Sequence, residues 1–163
     1  ANVFHACCPF FLCSLVLSRQ GKETFVDAEQ KQKLADRCAQ QHVSILTTAG
    51  KEWPTAHLQA FGQTDDLDLI FIILGIGKVS ESAQTAPGEV AIDNRDTADV
   101  LTLQVARATI QGLAKEVARD STEWNELKDS FLKKNPFEER FFGYDMLRMV
   151  RVTPKRISYA NGL

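Results

Sequence analysis

Apolar and polar positions cycle along this chain with two different periods, and the changes of period mark out most of its elements. Over "VDAEQKQKLADRCAQQH" (26–42) the spacing is helical, and Leu34, Ala35, Cys38 and His42 fall on one face. Asp27 with Gln30 three residues later has the form of a capping box, which satisfies free N–H groups at a helix start. "VSILTT" (43–48) then switches to a β-branched run, and "AGKE" supplies a turn. In "PTAHLQAFG" (54–62), Thr55, His57, Gln59 and Phe61 point one way and Ala56, Leu58 and Ala60 the other, because strand side chains alternate. After the turn "TDDLD", the run "LIFIIL" (69–74) is apolar throughout, as expected of a strand buried on both faces.

Past Gly75-Ile76-Gly77-Lys78, the residues Val79, Ala83 and Ala86 make a short helical stripe ended by Pro87-Gly88. "EVAID" (89–93) reads as another strand and "NRDTA" as a loop. Residues 100–117 read as one long strand whose parity breaks near 106–108, where a bulge would reset the register. "DSTEWNELKDSFLKKNP" (120–136) predicts a second helix, with Trp124, Leu127 and Phe131 on one face and Pro136 just past its end. "LRMVRVTPKRISYA" closes the chain as a last strand or pair of strands. The order is helix, three strands, short helix, strand, long strand, helix, strand, with no βαβ series. That is the plan of a mainly β, α+β domain: a closed antiparallel barrel decorated by helices.

Composition narrows the picture. A chain of 163 residues fits one domain with a sizeable core. A net charge of −2 argues against nucleic-acid binding but leaves room for a small anionic ligand. Cys7, Cys8 and Cys13 crowd together, with Cys38 apart, so no disulfide framework is predicted. No C-x-x-C pair supports a metal site, although His5 stands beside the cluster. Buried or free thiols in a reducing, cytoplasmic setting are the expectation. The opening apolar stretch has no Lys or Arg before Arg19 and is too short to cross a bilayer. Residues 1–26 are therefore read as an extension, packed on the barrel or disordered, and 27–163 as the domain.

The chemistry-bearing phrase is "FIILGIGKVSES" (71–82). A strand followed by a helix start presents free N–H groups, which suit an anion. G-x-G-K is nevertheless too short for a nucleotide P-loop and lacks the third glycine of a dinucleotide fingerprint. By its residues alone the phrase is either a plain turn with an exposed lysine or a phosphate cradle.

Four phrases resemble the pyridoxamine 5′-phosphate oxidase-like family of FMN-binding split barrels. "VSILTTAGKEWPTAHLQAFG" is similar to its first hairpin. "DDLDLIFIILGIGKVSESAQTAPGEVAIDNR" resembles its third strand, phosphate-side lysine turn, short helix and fourth strand. "VLTLQVARATIQGLAKEV" is similar to its long fifth strand, and "MLRMVRVTPKRISYA" to its closing one. The resemblance runs from about residue 27 to 160. It implies a six-stranded antiparallel split β-barrel with flanking helices, a homodimer, and FMN in a groove at the dimer interface. It further implies Lys78 and Gly77 at the FMN phosphate and His57 near the phosphate or ribityl chain. Gln59 and Arg107 would lie by the flavin ring, with Asn94 and Arg95 bordering the site.

Where the family turn reads Ser-Arg-Lys or Thr-Arg-Lys, this chain has Ile76-Gly77-Lys78. One lysine, backbone N–H groups and His57 or Arg95 are left for a group that takes several charge-assisted bonds. The implied function is that of a flavoprotein oxidoreductase acting on a small molecule. Two alternatives stay open: a non-catalytic dimer without FMN, and a heme-binding or heme-degrading barrel with His57 or His42 as axial ligand.

Overall fold

The computed structural model describes residues 28–48, 53–74, 85–94 and 105–161. Helix α1 (Ala28–Gln40) leads into strands β1 (Val43–Thr48), β2 (Thr55–Ala60), β3 (Gly62–Gln63), β4 (Leu69–Leu74), β5 (Thr85–Asp93) and β6 (Ala106–Val117). Helix α2 (Thr122–Lys134), a 3-10 helix (Pro136–Gly143) and strand β7 (Leu147–Asn161) complete the chain. All strand pairs are antiparallel, in the order β2-β1-β5-β6-β7-β4-β3. The two outermost strands, β2 and β3, are consecutive in the chain and separated only by Phe61. The sheet therefore curls until its ends meet at one corner, as in a split barrel. The six expected strands become seven because the bend at Phe61 divides one of them.

Strand β4 explains the layering. Leu69, Phe71 and Ile73 point into the barrel and pack with Val90, Ile110 and Val152. Ile70 and Ile72 point outward, where Trp124, Leu127 and Phe131 of α2 cover them together with Met149. A strand with a core on each side has no face left for polar residues, hence its unbroken apolar run. Helix α2 carries the predicted apolar stripe at i, i+3 and i+7. Ser121 caps it, accepting from the Trp124 N–H at 3.1 Å and donating to the Ala118 carbonyl at 2.7 Å.

Three expectations need correction. The first helix ends at Gln40, and His42 stands exposed in the turn beyond it instead of sharing the Leu34 face. Ala86, Pro87 and Gly88 belong to β5, paired with Ala114, Leu113 and Gly112, not to a helix. Proline is tolerated there because β1 reaches β5 only as far as Gly88, so the Pro87 end of β5 pairs on one side alone. The register break lies opposite Gln111 and Gly112, not at 106–108: Gln111 faces Arg156 and Gly112 faces Pro154. Lys155 is the extra residue, next to a proline that has no N–H for the ladder. Of the two forms expected of the tail, a strand or a pair, it takes the single strand. Asp27 of the expected capping pair, the segment 79–84 and the extension 1–26 lie outside what is described.

Candidate functional site

The hairpin β1–β2 carries two of the expected site residues. His57 pairs with Leu46, a core residue, and Gln59 pairs with Ser44. Directly paired residues share a face, so both side chains belong to the barrel's inner wall. There the His57 Nε2 and the Ser44 hydroxyl are buried without a hydrogen-bond partner. An axial heme ligand needs an accessible ring nitrogen, and this one is enclosed. His42 is the exposed histidine among the described residues.

The opposite face of the same strands is apolar and open. Val43, Ile45 and Leu58 are 45%, 46% and 71% exposed, and Leu58, Ile45, Ala91 and Thr109 form one row across four strands. Arg107 stands beside that row on β6, facing outward and paired in register with Asp93. Its guanidinium enters no ion pair or hydrogen bond among the described residues. Gln111, on the same face, donates to the Glu89 carboxylate at 2.9 Å. The expected residues thus divide: Arg107 lies on the outer face, while His57 and Gln59 lie on the inner one.

Asn94 is 5% exposed and acts on the backbone. Its side-chain oxygen accepts from the Ala106 N–H at 2.7 Å, and its own N–H donates to the Ala106 carbonyl at 3.2 Å. It joins the end of β5 to the start of β6 and so sets where the next residue, Arg107, emerges. Lys78, Gly77 and Arg95 lie outside the described residues.

At the same end of the barrel a shallow crevice opens between α1 and the strands, lined by Arg37, Cys38, Asn94, Arg107 and Tyr159 among others. Arg37 and Tyr159 carried no local signal in the sequence, since only the docking of α1 brings them to β6. Beneath this end, the Lys134 ammonium donates to the Cys38 carbonyl at 2.7 Å and sits 3.3 Å from the centre of the Phe61 ring. Burial pushes the Lys134 ammonium down to about 8 and the Cys38 thiol up to about 11. Among the described residues no three His, Cys, Asp or Glu side chains converge as a metal site. No described helix is long and apolar enough to cross a membrane.

No protein-family profile matches the chain, and no curated protein matches it in sequence. Solved structures do match in fold. A heme binding protein from Mycobacterium smegmatis superposes with a TM-score of 0.71 at 16% identity over 81% of this chain. The chain spans 54% of that protein's length. A FAD binding protein from Mycobacterium smegmatis gives 0.64 at 16% identity, covering 84% of this chain and 96% of its own. A protein from Listeria innocua named as a pyridoxamine 5′-phosphate oxidase gives 0.59 at 18% identity, covering 79% and 96%. The fold of this chain is the split barrel of those proteins.

Proposed function

We propose that this split-barrel chain is a flavin-binding protein that works as a homodimer, with FMN against the outer face of β1, β2, β5 and β6 where two copies meet. The observation that carries the reading is the outer face itself: an open apolar strip of Val43, Ile45 and Leu58, with Arg107, unpaired among the described residues, beside it. A monomer rarely leaves such a strip uncovered on a sheet. A flat aromatic ring with one electron-rich edge fits an apolar floor flanked by a guanidinium.

When bound, the flavin supplies the electron-transfer chemistry of an oxidoreductase acting on a small molecule. The chain's own residues hold and orient it. Arg107 favours negative charge near the ring, Asn94 fixes the backbone from which Arg107 projects, and Gln111 is held in place by Glu89. Lys78 is the proposed phosphate contact, joined by Gly77 and Arg95 as the family resemblance implies. His57 and Gln59, on the inner wall, act on the shape of β2 and not on the cofactor. The free, buried Cys38 accords with a reducing, cytoplasmic setting.

Heme is the second reading, supported by the heme binding neighbour and by the exposed His42 beside the crevice residue Gln41. The visible spectrum of the protein as purified, followed by titration with FMN and with hemin, decides between them. The proposal expects flavin bands or saturable quenching of FMN fluorescence, weakened at least tenfold by Arg107→Ala and by Lys78→Ala. A Soret band that disappears in His42→Ala would establish the heme reading instead. Neither chromophore bound at micromolar protein would leave a non-catalytic dimer.

A further inference from the structure

We propose that α1 is a lid on the mouth of the barrel and that Lys134 is its latch. Three observations lead there. First, α1 is lightly anchored: of its described side chains, Leu34 and Cys38 are fully buried, Ala35 packs beside them, and the rest face water or its margin. Among the described residues its side-chain ties to the barrel include an exposed Lys31–Asp66 pair at 3.6 Å and a donation from the Gln63 amide to the Ala35 carbonyl at 3.0 Å, while Glu29 and Lys33 near its start also have partners. Second, its C-terminal turn is held from outside the helix. The Cys38 carbonyl is one of the last four of α1, which have no partner inside the helix, and the Lys134 ammonium takes it. A cation at a helix C-terminus also meets the negative end of the dipole. Third, the turn so held covers the crevice lined by Cys38 and Ile92, with Arg37 on the helix side and Arg107 and Tyr159 on the strand side.

The latch is a single side chain arriving from another element. Lys134 lies against the Phe61 ring, at the corner where β2 becomes β3, so its ammonium is positioned by that ring as well as by α2. Losing it frees the last turn of α1 without removing anything from either hydrophobic core. Opening that turn uncovers the Cys38 thiol and widens the crevice beside Arg107. Access of a small molecule to the barrel mouth is then set by how often the lid opens. The inference holds whichever cofactor the outer face takes.

Cys38 is its own reporter, since its side chain is 0% exposed and reacts only when α1 lifts. Iodoacetamide labelling of the full-length protein at neutral pH, read at the Cys38 peptide by mass spectrometry, measures opening. Loss of one charge-assisted bond corresponds to about ten- to a hundredfold in an opening equilibrium. Lys134→Met, which keeps the apolar stem, is expected to label at least tenfold faster, and Lys134→Arg, which keeps a cation, near the parental rate. Leu127→Ala weakens the α2 core without touching the latch and serves as the control for global unfolding. If Lys134→Met accelerates labelling no more than its loss of global stability accounts for, as Leu127→Ala should, the latch is overturned.

Hydrogen exchange on the parent protein tests the lid without any variant. The amides of α1 should exchange through an opening well below the global unfolding free energy that governs β6 and β7. Exchange of α1 only with global unfolding would overturn the lid.

Discussion

Asn135 and Phe61 are joined through a buried bond: the Asn135 amide donates to the Phe61 carbonyl at 3.0 Å, and also reaches the Phe131 carbonyl at 3.3 Å. Phe61 is the residue between β2 and β3, so its backbone turns the corner where the sheet's two ends meet. Asn135, 0% exposed at the end of α2, fixes that corner to the helix. Removing the donor leaves a buried carbonyl unpaired, which costs about 1–3 kcal/mol. Asn135→Ala should lower the urea midpoint accordingly, whereas Asn125→Ala, on the exposed side of α2, should leave it nearly unchanged.

The glycines divide by what lies above them. A Cβ on Gly112 would stand 2.5 Å from the Thr153 carbonyl oxygen, and one on Gly62 2.8 Å from the Phe131 Cα. Backbone cannot yield as a side-chain tip does, and forced overpacking typically costs about 1–3 kcal/mol. Gly112→Ala and Gly62→Ala should each lower Tm by several degrees. Gly143→Ala meets nothing within 4 Å and should be within about 0.5 kcal/mol of the parent.

Stability against pH should carry the signature of Lys134 and Cys38. Lys134 releases its proton at about 8 when folded against an ordinary 10.5, so between those values the unfolded chain holds the extra proton. Its contribution therefore rises with pH across that window. The Cys38 thiol releases its proton at about 11 against an ordinary 9, so in that window the folded chain holds the extra proton and its contribution falls. Denaturant midpoints from pH 7.5 to 11 should show parent minus Lys134→Met rising through the first window, and parent minus Cys38→Ala falling through the second. A flat difference in either pair would mean that burial does not displace that group.

Leu58 and Ile45 test the proposed assembly. Both lie on the outer apolar face, and Leu58 is 71% exposed. A charge placed there is harmless to a monomer and costly at an interface that excludes water. If the proposed dimer forms on this face, Leu58→Asp should shift sedimentation from dimer to monomer at micromolar concentration with little change in the monomer's far-UV spectrum. If FMN binds where two copies meet, the same variant should lose it.

Local chemistry was enough to place α2 to within two residues at each end. The Trp124–Leu127–Phe131 stripe and Pro136 mark a face and a stop that depend only on helix geometry, whereas the Ser121 cap was seen only in the fold. The double burial of β4 and the two faces of β2 were equally readable, because a strand's alternation records which side meets water. Asn94 was legible as the end of a strand, though not as the clamp on Ala106. What sequence left open depends on neighbours remote in the chain. The bulge moved to Lys155 because the approach of Gly112 to Thr153 and the missing N–H of Pro154 act between strands about 40 residues apart. Pro87 became strand because β1 stops pairing at Gly88. The family resemblance implied one site for His57 and Arg107, yet their registers with Leu46 and Asp93 put them on opposite faces of the sheet. Lys134 gave no signal in its own helix end, where a terminal lysine is ordinarily solvated. Only the packing of α1, α2 and the Phe61 corner set its ammonium on an aromatic ring and a helix carbonyl, and a pattern read one element at a time contains no distance between elements.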